Sequence, residues 1–147
     1  SGPLGMIGGQ VLDIDSEGRQ LDTAGLMQIH RLKTGALICC ACRMGAIVAG
    51  ASDAALDAVT AYGEHLGLAF QIADDVLDVT ASTEDLGKTA GKDVVAGKNT
   101  YPALLGLEEA KRLAQEEADA AIGAVASLGE AADGLRALAR FTVERGR

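Results

Sequence analysis

The chain has 147 residues, 48% of them hydrophobic, with two Pro, no Trp and a formal net charge of −8. That length supports one domain with its own core, and no Gly-X-Y period suggests a fibrous chain. The acidic balance, without any basic run, argues against a nucleic-acid partner, although such a chain can bind small anions that a metal bridges.

Ala and Leu lose little side-chain entropy in helices, and almost no alternating β-branched pattern is present, so the expected fold is all-α. No signal peptide and no apolar run long enough to span a bilayer is found. Ser1-Gly2-Pro3-Leu4-Gly5 reads either as a tag scar or as native chain, and no Met opens the sequence, so the chain is expected to begin inside a larger protein. Residues 11–22 (VLDIDSEGRQLD) read as a polar connector. Asp22 is a candidate N-cap for a helix from Thr23 to about Ala49, with Leu26, Ile29, Leu37, Cys40, Met44 and Ile47 on its apolar stripe and Gly50 closing it. Cys39, Cys40 and Cys42 fall inside this stretch without a His or acidic partner at zinc spacing. They read as small buried hydrophobes in a reducing compartment, with a metal or redox role as the lesser reading. A second helix is predicted from Ser52 to Thr80, and a polar loop from 81 to 99. Thr100 and Pro102 mark the entry to a third helix reaching about Leu128. Its outer face pairs Glu108 with Arg112 and Arg112 with Glu116 at i,i+4. A last helix, about Glu130 to Glu144, is expected to turn Leu135, Leu138 and Phe141 inward.

The strongest chemical signal is Phe70-Gln71-Ile72-Ala73-Asp74-Asp75-Val76-Leu77-Asp78. From Leu66 to Val79 all other residues are apolar or Gly, and Gln71, Asp74, Asp75 and Asp78 fall on one arc about 100° wide. A helix apolar nearly all round is expected to be buried. Three carboxylates on one stripe there require compensation, which a hard divalent cation such as Mg²⁺ supplies while also holding phosphate oxygens; the alternative is a solvated acidic face. Lys33 sits between Ile29 and Leu37 at i±4 on the first helix, followed by Thr34. Either it snorkels to water, or it faces the carboxylate helix across a cavity and helps hold a polyanion. The loop LGKTAGKD…GKNTYP spaces Lys88, Lys92 and Lys98 with Gly87, Gly91 and Gly97. Such a loop can bring ammonium groups to a phosphate, or can simply be solvated; it is not a P-loop, because the motif is incomplete and no strand precedes it. His30 and His65 lack partners at catalytic spacing and read as structural.

Together, GGQVLDIDSEG, IHRLKTGALI, GLAFQIADDVLDVT and LGKTAGKDVVAGKNTYPALLG resemble the second half of the short-chain trans-prenyl diphosphate synthases that make farnesyl or geranylgeranyl diphosphate. The likeness runs from Gly8 to Arg147, and it favours a native SGPLGMIGGQ. The resemblance implies an all-α, antiparallel helical bundle of the isoprenoid synthase type around a deep cavity, usually a homodimer. Residues 1–147 would be the C-terminal part of one such domain, with the N-terminal half absent. It also implies a Mg²⁺-dependent prenyltransferase that condenses isopentenyl diphosphate with an allylic diphosphate. Asp74, Asp75 and Asp78 correspond to the family's second aspartate-rich metal motif, with Asp74 a direct ligand and Asp78 acting through water. Lys33, Lys88 and Lys98 match positions that grip the allylic diphosphate. Thr34 and Gln71 match positions lining the reacting centre, and Phe70 one beside the homoallylic substrate. By the same likeness, the first aspartate-rich motif and the isopentenyl diphosphate site belong to the missing half. This chain alone is therefore expected to carry half a cavity and an exposed apolar wall, and to be inactive. Nothing marks export, so the expected compartment is the cytoplasm, or a plastid if a leader precedes the chain. The competing readings are a non-catalytic subunit, which tends to lose the aspartates kept here; a terpene cyclase, which would not keep KT, FQxxDD and LGK together; and a purely structural helical domain, which leaves the carboxylate stripe without a cause.

Overall fold

The computed structural model describes residues 2–85 and 99–145. Every regular element among them is helical: α1 (Met6–Asp15), α2 (Thr23–His30), a π-helical turn (Arg31–Gly35), α3 (Ala36–Val48), α4 (Asp53–Asp85), α5 (Tyr101–Leu105), α6 (Leu107–Ala124), a 3-10 segment (Ala126–Ala132) and α7 (Asp133–Glu144). The helix boundaries follow local chemistry. The Asp22 carboxylate accepts the Gly25 N–H at 2.8 Å and starts α2, and the Thr100 hydroxyl accepts the Ala103 N–H at 3.3 Å and starts α5. Gly106, at φ 86°, takes a left-handed conformation that L side chains resist, and it splits the expected third helix into α5 and α6.

α4 is the axis of the bundle, with α3 and α6 as its main neighbours. Its contact with α6 is built on Ala110, Ala114, Ala118 and Ala121, a stripe of buried small residues at helical spacing. Small side chains let two backbones approach closely, and the larger residues then fill the ends. At one end Leu26, Leu68, Ile72 and Tyr101 surround Ala110 and Ala114. At the other Tyr62 and Leu66 pack with Ala121, Val125, Ala132 and Ala139. On the opposite side of α4, a Cβ on Gly63 would lie 2.7 Å from the Cys39 Cα, and one on Gly67 would lie 2.7 Å from the Gly35 Cα. Contacts that run up α4 as they run down α3 make the two helices antiparallel, as their four-residue link requires.

Several expectations are corrected. The segment read as a connector from 11 to 22 is helical as far as Asp15. Gly9 fits α1 against the π turn, where a Cβ would meet the Lys33 backbone nitrogen at 2.3 Å, so tertiary contact overrides a weak helix former. The expected helix from Thr23 to Ala49 is interrupted by the π turn, whose extra residue shifts the register; Ile29 is buried while Leu37 is exposed, so the two do not share one buried stripe with Lys33. α4 runs past Thr80 to Asp85. The region from 126 to 132 is a 3-10 segment, broken by Gly129 at φ 59°. Leu138 and Phe141 point outward at 48% and 62% exposure, because no described helix of this chain covers that side of α7. Cys40 is exposed and Cys39 and Cys42 are half-buried, all three as free thiols; among the described helices α3 packs mainly on α4. Met44 and Ile47 on α3, and Ile7, Val11 and Ile14 on α1, are further exposed apolar residues.

Candidate active site

The π turn places the Lys33-Thr34 pair. Its backbone is pressed from two sides, by Gly9 of α1 at Lys33 and by Gly67 of α4 at Gly35. Such single-turn bulges recur at functional sites because they re-aim side chains without ending the helix. Here Thr34 is directed at α4, where its hydroxyl donates to Gln71 Oε1 at 2.9 Å. Lys33 turns the other way and donates to Asp13 Oδ2 of α1 at 2.6 Å, with both side chains more than a third exposed.

The acidic stripe of α4 differs from the buried one expected. Asp74 and Asp78 are exposed, Asp75 and Gln71 are half-buried, and Ile72 and Ala73 are the last buried residues before them. The stripe lies where α4 emerges from its packing against α3 and α6, and among the described residues no helix is packed over its exposed side. At about 100° per residue, Asp74 forms one edge of the stripe, Asp78 and Gln71 the middle, and Asp75 the other edge. Each edge is tied to a different helix. Arg145, at the end of α7, donates to Asp74 Oδ1 at 3.2 Å and lays its guanidinium 4.4 Å from the centre of the Phe70 ring. On the other edge, Asp75 Oδ2 accepts the Tyr101 backbone N–H at 3.0 Å. Phe70 and Arg145 also border an apolar groove of about 330 Å³ lined by Leu66, Leu138 and Phe141.

The structure thus brings together Thr34, Gln71, Phe70 and the three aspartates, with Lys33 one residue from Thr34. Lys88, Lys92 and Lys98 lie outside the described residues. Among the described residues no group of three or more His, Cys, Asp or Glu is gathered closely enough to hold a metal ion by itself. The donor set nevertheless suits Mg²⁺. Asp74 and Asp78 are hard oxygen donors one turn apart on an accessible face, and Mg²⁺ is commonly held by one or two carboxylates, with phosphate oxygens and water completing the shell.

Sequence reasoning missed Asp13, Arg145, Asn99 and Tyr101. Asp13 and Arg145 are 20 and 71 residues from their partners Lys33 and Asp74, and no periodicity links residues so far apart. Asn99 accepts the Leu21 N–H and donates to the Arg19 carbonyl, both at 3.0 Å, which fastens the α1–α2 link to the start of α5. The histidines are both placed between helices. His65 Nδ1 meets Glu117 Oε2 at 2.7 Å across α4 and α6. The His30 ring lies 5.5 Å from the Tyr101 ring. Burial lowers the His30 pKa to about 4; Asp13 pulls it up and Lys33 pushes it down, both to a smaller extent. Burial likewise raises the Cys39 and Cys42 thiols above their ordinary value, which makes them poor nucleophiles. Among the described residues no helix is long and apolar enough to cross a membrane.

Comparison with known proteins places this arrangement. The sequence profile of the Polyprenyl synthetase family matches residues 3–134. Farnesyl diphosphate synthase of Escherichia coli is 47% identical over 99% of this chain and 50% of its own length. An FPP/GFPP synthase from Zymomonas mobilis superposes with a TM-score of 0.81 at 37% identity, over 97% of this chain and 46% of that one. A geranyltransferase from Helicobacter pylori, whose structure is a complex with magnesium and isoprenyl diphosphate, superposes with a TM-score of 0.74 at 33% identity, over 96% of this chain and 46% of that one. The chain therefore spans about half the length of these relatives. With the KT turn, the FQxxDDxxD stripe and an all-helical bundle on one scaffold, the chain belongs to the polyprenyl synthetase family.

Proposed function

We propose that this chain contributes the diphosphate-ionising half of a short-chain trans-prenyltransferase, which joins isopentenyl diphosphate to an allylic diphosphate to give farnesyl or geranylgeranyl diphosphate. The observation that carries the reading is the Thr34–Gln71 hydrogen bond of 2.9 Å, which joins the KT turn to the aspartate helix. In this reading Asp74 and Asp78 would hold Mg²⁺, Asp75 belongs to the same motif, and Lys33, with Lys88 and Lys98, would grip the allylic diphosphate oxygens. Bound Mg²⁺ supplies Lewis-acid stabilisation of the departing diphosphate.

The allylic C–O bond breaks with its electron pair on the diphosphate, leaving an allylic cation. Lys33 lowers the cost of that charge separation by exchanging its Asp13 partner for the leaving oxygens, and electrostatic stabilisation of this kind dominates such steps. Thr34 donates its proton to Gln71, so its own oxygen lone pairs remain available to a passing cation. The isopentenyl double bond then attacks the cation, a new C–C bond forms, and a proton leaves to the released diphosphate. Phe70 flanks the homoallylic substrate. No side chain of this chain need act as a strong base.

The exposed apolar faces of α1, α3 and α7 support a second element of the reading. Leu37, Met44, Ile47 and Phe141 form surface of the kind that marks an interface, and the relatives carry about as much chain again. We assign that cover to the N-terminal half of the same domain, within a homodimer and, in the simplest case, in the cytoplasm. A non-catalytic subunit is the alternative, disfavoured by the retained Asp74, Asp75 and Asp78. The test is transfer of radiolabelled isopentenyl diphosphate to an allylic diphosphate in the presence of Mg²⁺, for the chain alone and after addition of a complementary N-terminal half. Activity only with the complement, lost by about 10³-fold or more in Asp74→Ala, is the expected result. No activity with the complement would sink the reading, and a cyclised hydrocarbon product would replace it with a terpene cyclase.

A further inference from the structure

The three carboxylates of the stripe are not equivalent in this fold, and the difference gives Asp75 a separate role. We propose that Asp75 is a positioning residue: its carboxylate caps the first turn of α5 through the Tyr101 N–H and thereby fixes the roll of α4 that presents Asp74 and Asp78. The inference deepens the prenyltransferase reading by dividing roles within its acidic motif, and the clamp can be measured without metal or substrate.

The backbone donors at the start of a helix have no intrahelical partners and need acceptors. In α5 the Thr100 hydroxyl takes the Ala103 N–H, and the Asp75 carboxylate takes the Tyr101 N–H at 3.0 Å. The anchor behind that N–H is rigid. The Tyr101 side chain is fully buried among Leu26, Leu68, Ile72, Ala110 and Ala114, and the His30 ring lies against it. One residue earlier than the Thr100 cap, Asn99 is fastened to Leu21 and Arg19. Asp75 is thus bonded to a fixed point of the core.

α4 needs such a point. Its fully buried residues end at Ala73, and from Asp74 to Thr80 burial is only partial, with Val76 packed against the edge of the core. Over that stretch the helix could roll or fray, and a carboxylate bonded to a fixed N–H resists both, since hydrogen bonds to charged groups are the stronger class. Asp75 sits about 100° round the helix from Asp74 and about 60° from Asp78. Holding Asp75 on α5 therefore leaves the other two turned away from α5, on the accessible side where both are found exposed.

The test compares wild type, Asp75→Asn and Asp75→Ala in the 147-residue chain, in the presence of chelator, by hydrogen exchange at the Tyr101 amide and by thermal melting. An amide oxygen still accepts the N–H and a methyl does not. Asp75→Ala is expected to speed Tyr101 exchange by about tenfold or more, and Asp75→Asn to restore it to within about threefold of wild type. Asp74→Ala, which removes the neighbouring charge, is expected to leave Tyr101 exchange at the wild-type rate. If Asp75→Ala does not fold, Asp75→Ser replaces it, its hydroxyl being too short to span the same gap. Equal exchange in Asp75→Asn and the truncated variant would overturn the proposal, because a role that resides only in charge treats both alike. Loss of the prenyltransferase reading would appear instead as absent transfer activity with this exchange pattern intact.

Discussion

The two ends of α4 obey different rules. Up to Ala73 the helix is defined by what it touches: Tyr62, Leu66, Leu68, Ala69 and Ile72 are buried, and Gly63 and Gly67 admit the backbone of α3 and the π turn. From Asp74 onward it is defined by what it displays, with Asp74 bonded to Arg145 at one edge of the acidic stripe and Asp75 to the Tyr101 N–H at the other. In the proposed reading one half carries stability and the other chemistry, and the helix between them transmits position. Substitutions in the first half should therefore change stability first and function as a consequence. Those around the second half should change ligand binding with the fold nearly untouched.

The largest effect is expected at Gly67. A Cβ there falls 2.7 Å from the Gly35 Cα, and backbone cannot yield as the end of a flexible side chain can. Gly67→Ala should cost about 3 kcal/mol by urea unfolding, the upper range for overpacking. It should also lengthen the Thr34–Gln71 contact, because it forces the π turn away from α4. A stable Gly67→Ala protein with unchanged substrate affinity would break the link drawn between the two halves.

Of similar size is the pH dependence that His30 imposes. Its folded pKa of about 4 lies below the ordinary 6.5, with burial as the main cause. The unfolded chain therefore takes up the proton first as pH falls. The stability contribution is complete above about pH 6.5 and is lost progressively down to pH 4, by a total of about 3 kcal/mol. His30→Phe keeps a ring against Tyr101 and removes the titration, so its stability should be flatter than wild type across that window. Smaller again is Tyr62→Phe, which removes the 2.8 Å bond from the phenol to the Leu135 carbonyl and should cost ~1 kcal/mol without altering diphosphate binding.

The legible parts of this molecule were those written in local order. The all-helical fold follows from composition and periodicity, the N-cap at Asp22 from its side chain, and the clustering of Gln71 with the aspartates from helical spacing alone. What stayed hidden depends on distance along the chain and on which faces the described helices leave uncovered. The π turn exists because Gly9 and Gly67 leave room for it, 24 and 34 residues from Lys33, and neither glycine declares that use. The outward turn of Leu138 and Phe141 was unreadable for the opposite reason: their pattern is that of a core face, yet no described helix packs over it.

The smallest expected change in stability, and the sharpest separation of the two halves, is at Lys33. Its pair with Asp13 is 2.6 Å long but more than a third exposed on both sides, and such pairs contribute about 0.5 kcal/mol or less once water and side-chain entropy are counted. Lys33→Met should therefore unfold within that margin of wild type. If the ammonium also serves the diphosphate, the same substitution should weaken binding of Mg²⁺–diphosphate by about tenfold or more, the scale of a charge-assisted hydrogen bond. Asp13→Asn separates the two roles, since it leaves the ammonium in place and removes its competitor. Diphosphate affinity should then rise slightly or hold, while stability shifts by no more than in Lys33→Met. Equal loss of affinity in both variants would mean that the ion pair itself, and not the free ammonium, shapes the site, and Lys33 would move from the displayed half of the molecule to the packed one.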